Sequence, residues 1–299
     1  MAPENMKCPT RTVKDACRGL GKRWGIKVPT SECVIKDAAR TAYDSTVNTV
    51  GMGYNPQLYP LEVNPTTGEP FLRLRGHHNI IITPPRPEDV PAMVPYHNDP
   101  RICEYLGGPP FPYTLAHAQS FFDITRSLSD RLLSQLEDTK DQRGLVILEN
   151  CPVRAIREVH EDGSDTFIGD IGFMRCPIGE LMGTNAASLD WENKTIVEER
   201  NNKLPAGDPN IIWSIGDFLA PSHHGRGIMT EAVRTILHDW GVPRMGIRHV
   251  WVSTFTGNDG SVKVFMKNGF KLIYTCDEHK EAKGKMRGIN VLEWKYGES

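Results

Sequence analysis

No Cys-x-x-Cys pair occurs among the seven cysteines of this 299-residue chain, and no apolar run approaches the roughly 18 residues that a membrane span needs. Net charge is also lacking, at a formal −2. Each absence excludes something. The cysteines (Cys8, Cys17, Cys33, Cys103, Cys151, Cys176, Cys276) are scattered and odd in number, so they read as reduced thiols, and no metal site is expected. A near-neutral chain without a long basic run argues against a general nucleic-acid surface and against a polybasic membrane anchor. The opening MAPENMKCP lacks the apolar core of a secretory signal, so the expectation is a soluble, cytoplasmic protein, monomer or homodimer. Neither a Gly-Lys-Ser/Thr phosphate loop nor a Rossmann acid follows the glycine-rich stretch described next, which disfavours a nucleotide-binding protein.

What is present centres on Ile211 to Trp240, IIWSIGDFLAPSHHGRGIMTEAVRTILHDW. An apolar run to Leu219 ends at Pro221, a polar turn holds Gly225 and Gly227, and apolar residues then recur at helical spacing: strand, glycine turn, helix. Two glycines let backbone approach a ligand closely, and the first N–H groups of a helix are unpaired by construction. The arrangement suits a phosphate cradle, and it equally suits a tight connection with no ligand. Ala232, Ile236, Trp240 and Met229, Val233, Leu237 form adjoining rows that pack such a helix on a sheet.

Residues 1–70 carry helix-compatible spacing at Asp15 to Trp24 and Glu32 to Val50, then a Gly, Pro and Asn-rich connector, and read as an extension packed on a domain that starts near Phe71. NIIIT is a first strand, Pro87-Glu88-Asp89 a helix start, and Thr114 an N-cap for a helix from Ala116 to Leu128. Phe111, Tyr113, Phe121 and Phe122 are candidate pocket aromatics, with core packing the plainer reading. LVILE (Leu145 to Glu149) and TFIGDIGFMRC (Thr166 to Cys176) are read as strands about a charged turn at Glu161 to Gly163. Residues 177–210 are polar without a clear period and read as an insertion, either a lid or a disordered segment. KLIYTC and INVLEWKY form a closing hairpin.

HGRGIMTEA resembles the acetyl-CoA pyrophosphate loop of the GNAT acyltransferase superfamily, Arg/Gln-x-x-Gly-x-Gly/Ala, with His224, Gly225, Arg226, Gly227, Ile228 and Met229 in the six places. NDGSVKVFMKNGF resembles its second signature, Asn-x-x-Ser-x-x-Val-Tyr-x-Lys-x-Gly-Phe, through Asn258, Ser261, Val264, Lys267, Gly269 and Phe270. The resemblance runs from about Ile80 to Tyr296 and is nearest to the ribosomal-protein-alanine (RimJ/RimL-like) type, particularly its fungal members. It implies an α/β (α+β) fold over 71–296, a mixed, splayed central sheet flanked by helices, with an N-terminal extension.

The resemblance further implies acetyl-CoA as co-substrate and N-acetylation of a primary amine, either a small molecule or a peptide N-terminus, by direct attack in a ternary complex. A non-catalytic acyl-CoA-binding module on the same fold is the alternative. Coenzyme contacts are then expected from backbone groups near Phe218, Leu219 and Ala220, where the strand bulges from its neighbour, from the loop His224 to Thr230, and from Asn258, Lys263 and Lys267. Arg226 reads as a phosphate contact or a solvated charge. Asp217, a carboxylate in an apolar strand, is a candidate base or substrate anchor, or else a structurally paired charge. Glu278, in the acidic group Asp277, Glu278 and Glu281, is a second candidate base. Phe265 stands where many members carry a proton-donating tyrosine, which leaves Ser261 as candidate acid or, alternatively, as a helix cap. Met229, long where the family has Gly or Ala, is expected to crowd the cradle.

Overall fold

The structure is a computed structural model that describes residues 55–183 and 193–298; the helices expected at Asp15 to Trp24 and Glu32 to Val50 lie outside the described residues. The compact unit that holds the site spans Asn55–Ser299 and so begins before Phe71. Residues 55–61 belong to it because they are tied in from both ends. The buried amide of Gln57 donates to the Gly144 carbonyl at 2.8 Å and accepts from the Val146 N–H at 3.0 Å. Arg244, fully buried with its guanidinium over the Trp240 ring, donates to the carbonyls of Gln57 and Tyr59.

Among the described residues nine strands make one mixed sheet: β1 (Glu62–Val63), β2 (Pro70–Leu74), β3 (His77–Thr83), β4 (Ala155–Val159), β5 (Asp165–Arg175), β6 (Ile212–Leu219), β7 (His249–Phe255), β8 (Lys271–Ala282) and β9 (Lys285–Lys295). Their order is β1-β2-β3-β4-β5-β6-β7-β9-β8, and every neighbouring pair is antiparallel except β6 with β7. A parallel pair needs a crossover. It is the helix after the glycine turn, α4 (Ile228–Arg234), which continues as a π-helical stretch Thr235–Gly241 and a last turn Val242–Met245. Both rows expected to pack this helix are buried: Ala232, Ile236 and Trp240 at 0–1% exposure, with Met229, Val233 and Leu237 at 8% or less.

The longer helices among the described residues, besides the single turn Pro100–Cys103, are α1 (Asp89–Asn98), α2 (Leu115–Asp138), α3 (Lys194–Lys203) and α5 (Asp259–Lys267). Thr114 caps α2 as its sequence suggests, with Thr114 Oγ1 accepting from the His117 N–H and His117 Nδ1 accepting from the Thr114 N–H. The helix runs ten residues past the expected Leu128, because Leu132 and Leu136 continue its apolar face into the core. α1 is fixed by a buried ion pair: Arg157 of β4 reaches both oxygens of Asp89 at 2.6 and 2.8 Å, and each side chain is at most 3% exposed.

Two expectations change. LVILE is not a strand. Its backbone is claimed by other partners, since the Leu148 N–H donates to the Arg244 carbonyl and the Val146 N–H to Gln57, so the charged turn joins TFIGD to Ala155–Val159 instead. The insertion is not featureless either: Gly179–Gly183 forms a 3-10 turn and 194–203 forms α3, while 184–192 lie outside the described residues. Buried Asn201 of α3 closes its base, donating to the carbonyls of Cys176 and Ile212 and accepting from the Ile212 N–H. Among the described residues the cysteines are free thiols, and no helix is long and apolar enough to cross a membrane.

Replacing Asp89 with Ala leaves the Arg157 guanidinium buried beside only part of its partners, a change that costs about 3–5 kcal/mol. Urea unfolding of the Asp89→Ala chain checks this, and a loss within experimental error would show that α1 is held by its apolar contacts alone.

Candidate active site at the splayed strands

β6 and β7 pair only at their beginnings, Ile212 with His249 and Trp213 with Val250, and then separate. From Ser214 onward β6 is held by β5 alone. In an antiparallel ladder, residues alternate in which neighbour they bond. The Cys176 N–H donates to the Ile212 carbonyl and the Ala220 N–H to the Ile168 carbonyl, so the even-numbered residues of β6 turn their backbone to β5. The groups of Ile215, Asp217 and Leu219 therefore face the gap. Of the stretch expected to offer free backbone groups, Phe218 has its groups committed to β5, Ala220 gives its N–H to Ile168 and its carbonyl to the His223 N–H, and Leu219 alone points outward. Its carbonyl accepts from His224 Nε2 at 2.8 Å, which fixes the proton on that nitrogen.

The gap opens toward the glycine turn. Gly225 (φ 73°) and Gly227 (φ 80°) are both left-handed, and Gly227 is the residue that starts α4. Only glycine adopts that conformation without strain. An added Cβ at Gly227 would meet nothing nearer than His77 Nε2 at 3.8 Å, so the requirement is backbone conformation, and the space above stays open. The N–H groups of Ile228, Met229 and Thr230 lie in the first turn and have no intrahelical carbonyl, which makes this end a donor-rich, electropositive cradle. Met229 does not crowd it: its side chain is 8% exposed and lies in the main core.

Arg226 is neither free nor simply solvated. It pairs with Glu158 of β4 at 3.2 Å, and Glu158 also takes His223 Nε2 at 3.0 Å. The His223 bond, with Arg226 adding, holds the Glu158 carboxyl below its usual range. The second signature is brought to the same end through Asn268, whose amide donates to the Thr230 carbonyl at 3.0 Å and to the Val264 carbonyl at 2.9 Å. Asn258 is the N-cap of α5 and accepts from the Ser261 N–H at 3.2 Å. Ser261 thus lies in the first turn of the helix, as its third residue, and does not cap it; its side chain is half-buried. Lys263 and Lys267 are exposed on α5, and Phe265, 2% exposed against Phe270, is turned into the core. Glu278 is exposed on β8, the edge strand two places beyond β7.

Asp217 is placed directly beside the gap. Alternation puts its side chain on the face of Ile171, opposite to Phe218. The carboxyl is half-buried and, among the described residues, makes no hydrogen bond or ion pair. Loss of hydration lifts it from 3.8 to about 7, and the nearby Asp170 adds to the lift. No structural pairing therefore explains it. Asp170, by contrast, is gripped by Arg154 through two bonds of 2.7 and 2.8 Å.

On the Phe218 face stands a group that sequence reasoning missed in part. His97 of α1 is 6% exposed, stacks on Tyr113 at 4.3 Å and meets Phe218 edge-on at 4.5 Å. Its Nδ1–H donates to the Met93 carbonyl, and burial pushes its pKa down, which favours the neutral imidazole. Of the expected pocket aromatics, Tyr113 and Phe122 join this cluster, Phe121 lies under Arg154, and Phe111 is exposed. Asp170 was legible by the rule that marked Asp217, since both are acids in an apolar strand after Ile-Gly; His97 had no comparable signal.

A strand that leaves its parallel neighbour, with a glycine cradle and helix start at its end, defines the acyltransferase class. Residues 79–271, more than half of the chain, match the sequence model of the acetyltransferase (GNAT) domain, and the chain belongs to that family. A curated relative is the probable N-acetyltransferase YjcK of Bacillus subtilis (strain 168), 39% identical over 56 residues, which are 19% of this chain and 30% of that protein. The match thus spans under a third of the relative's length. Among solved structures, RimL, the ribosomal L7/L12 alpha-N-protein acetyltransferase in complex with coenzyme A, is 14% identical with a TM-score of 0.49, over 75% of this chain and 97% of that one. The ribosomal-protein-S5-alanine acetyltransferase of Vibrio fischeri is 14% identical with a TM-score of 0.44, over 73% and 94%.

The raised Asp217 carboxyl gives a stability test. Between pH about 4 and about 7 the folded chain keeps a proton that the unfolded chain has lost, so stability falls as pH rises through that window. The Asp217→Asn chain lacks this fall. Thermal melts across that range that run parallel for the two chains would place Asp217 in an ordinary, solvated setting.

Proposed function

We propose that this chain transfers the acetyl group of acetyl-CoA to a primary amine by direct attack within a ternary complex. The observation that carries the reading is the gap between β6 and β7, which leaves backbone groups of Ile215 and Asp217 and the Leu219 N–H without a sheet partner beside the left-handed turn Gly225–Gly227. The cradle from His224 to Thr230 takes the pyrophosphate on backbone N–H groups, and the unpaired backbone of β6 takes the pantetheine arm as an adjacent strand would. Asn258, Lys263 and Lys267 flank the arm and phosphates from α5. Arg226 stays with Glu158 and adds positive potential without a dedicated contact.

In the reaction the amine nitrogen bonds to the thioester carbon, the carbon–sulfur bond breaks, the ammonium proton goes to a base and the thiolate receives a proton. An alkylammonium is not a nucleophile, so the base is required. Asp217 has that role: an unpaired carboxyl with a pKa of about 7 is ionised in a large fraction of molecules at neutral pH and is still basic enough to accept the proton. Ser261, half-buried in the first turn of α5, supplies the thiolate proton directly or through water. Glu278 on the edge strand serves the acceptor side and not the gap.

Calorimetric titration with acetyl-CoA, followed by thiol release with amines and short peptides, tests the whole reading. Binding with release is expected; the absence of any acetyl-CoA binding would overturn it. Gly227→Glu puts a strained, negatively charged residue in the cradle and should weaken coenzyme binding by about tenfold or more, since strain of about 1–2 kcal/mol and charge repulsion add. Turnover by the parent chain should rise with pH through about 7, while Asp217→Asn loses that limb and about 10²–10⁴-fold in rate. An unchanged profile would remove Asp217 from the mechanism.

A further inference from the structure

The hairpin of β8 and β9 ends in a tight turn at Lys283 (φ 53°) and Gly284 (φ 73°), both left-handed, and this turn swings its side chains against the loop that follows α1. Between the two lies a cavity of about 450 Å³, walled by Leu106, Pro109, Pro110 and Phe111 on one side and by Glu281 and Lys283 on the other. A volume of this order suits a small molecule. Lys283 donates to the Cys103 carbonyl and sits 5.5 Å from the centre of the Phe111 ring, yet no carboxylate pairs with it among the described residues. Glu281 likewise makes no ion pair among them. Nearby charges are already engaged: Glu104 faces Arg287 at 3.6 Å, and Asp99 is held by Arg101 at 2.6 Å.

The cavity is linked to the Phe218 face of β6 through His97. Lys283 is near enough to act on the His97 imidazole through its charge, and His97 touches Phe218 of β6. A cation without a carboxylate partner and a carboxylate without a cation partner among the described residues, two positions apart at the hairpin end, form a matched pair of ionic hooks. A ligand with a single charge would satisfy one hook and be opposed by the other. A ligand carrying both charges satisfies the two at once, and the proline and phenylalanine wall suits an apolar stem running from that head toward the gap.

We propose that the acceptor is a diamino acid: its α-ammonium and α-carboxylate are held by Glu281 and Lys283, and its distal amine is the one acetylated. The inference rests on the acetyl-transfer reading and narrows it to a free amino acid over a peptide N-terminus. Glu281 and Lys283 are specificity residues here and touch no reacting atom.

Thiol release by the full chain at saturating acetyl-CoA tests this with three probes. L-lysine has both head charges, 6-aminohexanoate lacks the ammonium, and cadaverine lacks the carboxylate. L-lysine should show a KM lower than either by about tenfold, the worth of one charged hydrogen bond, with kcat similar. Lys283→Met should raise KM for L-lysine and 6-aminohexanoate and lower it for cadaverine, whose head ammonium Lys283 opposes; Glu281→Gln should raise it for L-lysine and cadaverine and lower it for 6-aminohexanoate, whose carboxylate Glu281 opposes. A hairpin clasp without a binding role would instead move all three probes alike. Equal KM values for the three probes, a uniform change in the variants, or release with a peptide and none of the three would each overturn the proposal. Failure of acetyl-CoA to bind, read in the prior titration, would remove the acetyl-transfer reading itself and this inference with it.

Discussion

A parallel strand pair that stops after two residues is the constraint on which the site depends. Had β6 and β7 stayed paired to Leu219, every backbone group along β6 would be satisfied and the sheet would be closed. Because they part after Trp213, the groups of Ile215, Asp217 and Leu219 on β6 are left without a sheet partner, and buried backbone groups without partners are costly. The fold tolerates this only where another molecule, or water, can complete the ladder. The glycine turn at the end of the same strand then extends that row of unpaired donors into the first turn of α4. One row of backbone groups thus runs from an open strand edge to a helix start, and the shape of that row, more than any single side chain, defines what can lie along it.

Electrostatics divides two acids whose sequence settings are nearly the same. Asp170 and Asp217 each follow Ile-Gly in an apolar strand, on neighbouring strands. Asp170 points to the face of α1 and α2, where Arg154 binds it with two hydrogen bonds, and it becomes part of the scaffold. Asp217 points to the other face, finds no cation, and has its proton held more tightly by lost hydration and by the charge of Asp170 itself. The scaffold acid therefore helps to tune the free one. His97 is governed by the same physics with the opposite sign, since burial among Tyr113 and Phe218 favours its uncharged form.

Long connections are made compact by a few buried polar side chains. Gln57, Arg244 and Asn201 each spend their hydrogen bonds on backbone groups of distant segments, which lets stretches without regular structure lie against the core without orphaned amides. That is also why LVILE, a strand by composition, is not one: its N–H and C=O groups meet Gln57 and Arg244 before they can meet a ladder.

The sequence by itself determined the parts whose signals are local. The alternation and runs of the main strands, the Thr114 cap, the two buried rows of the helix after the glycine turn, and the two glycines that must be left-handed are all properties of short segments, and the motifs around them carried the family. Tertiary structure decided everything that depends on which segments meet. It chose the Ala155–Val159 strand over LVILE and turned part of the 177–210 insertion into a helix anchored by Asn201. It buried Met229 in the core instead of leaving it in the cradle. It also gave Arg226 to Glu158, left Asp217 without a partner, and set His97 beside Phe218. The physical reason is range: propensity, capping and φ act within a turn or a strand, whereas pairing, burial and charge compensation are settled between residues far apart in the chain, and the chemistry of this site is written mostly in the second set.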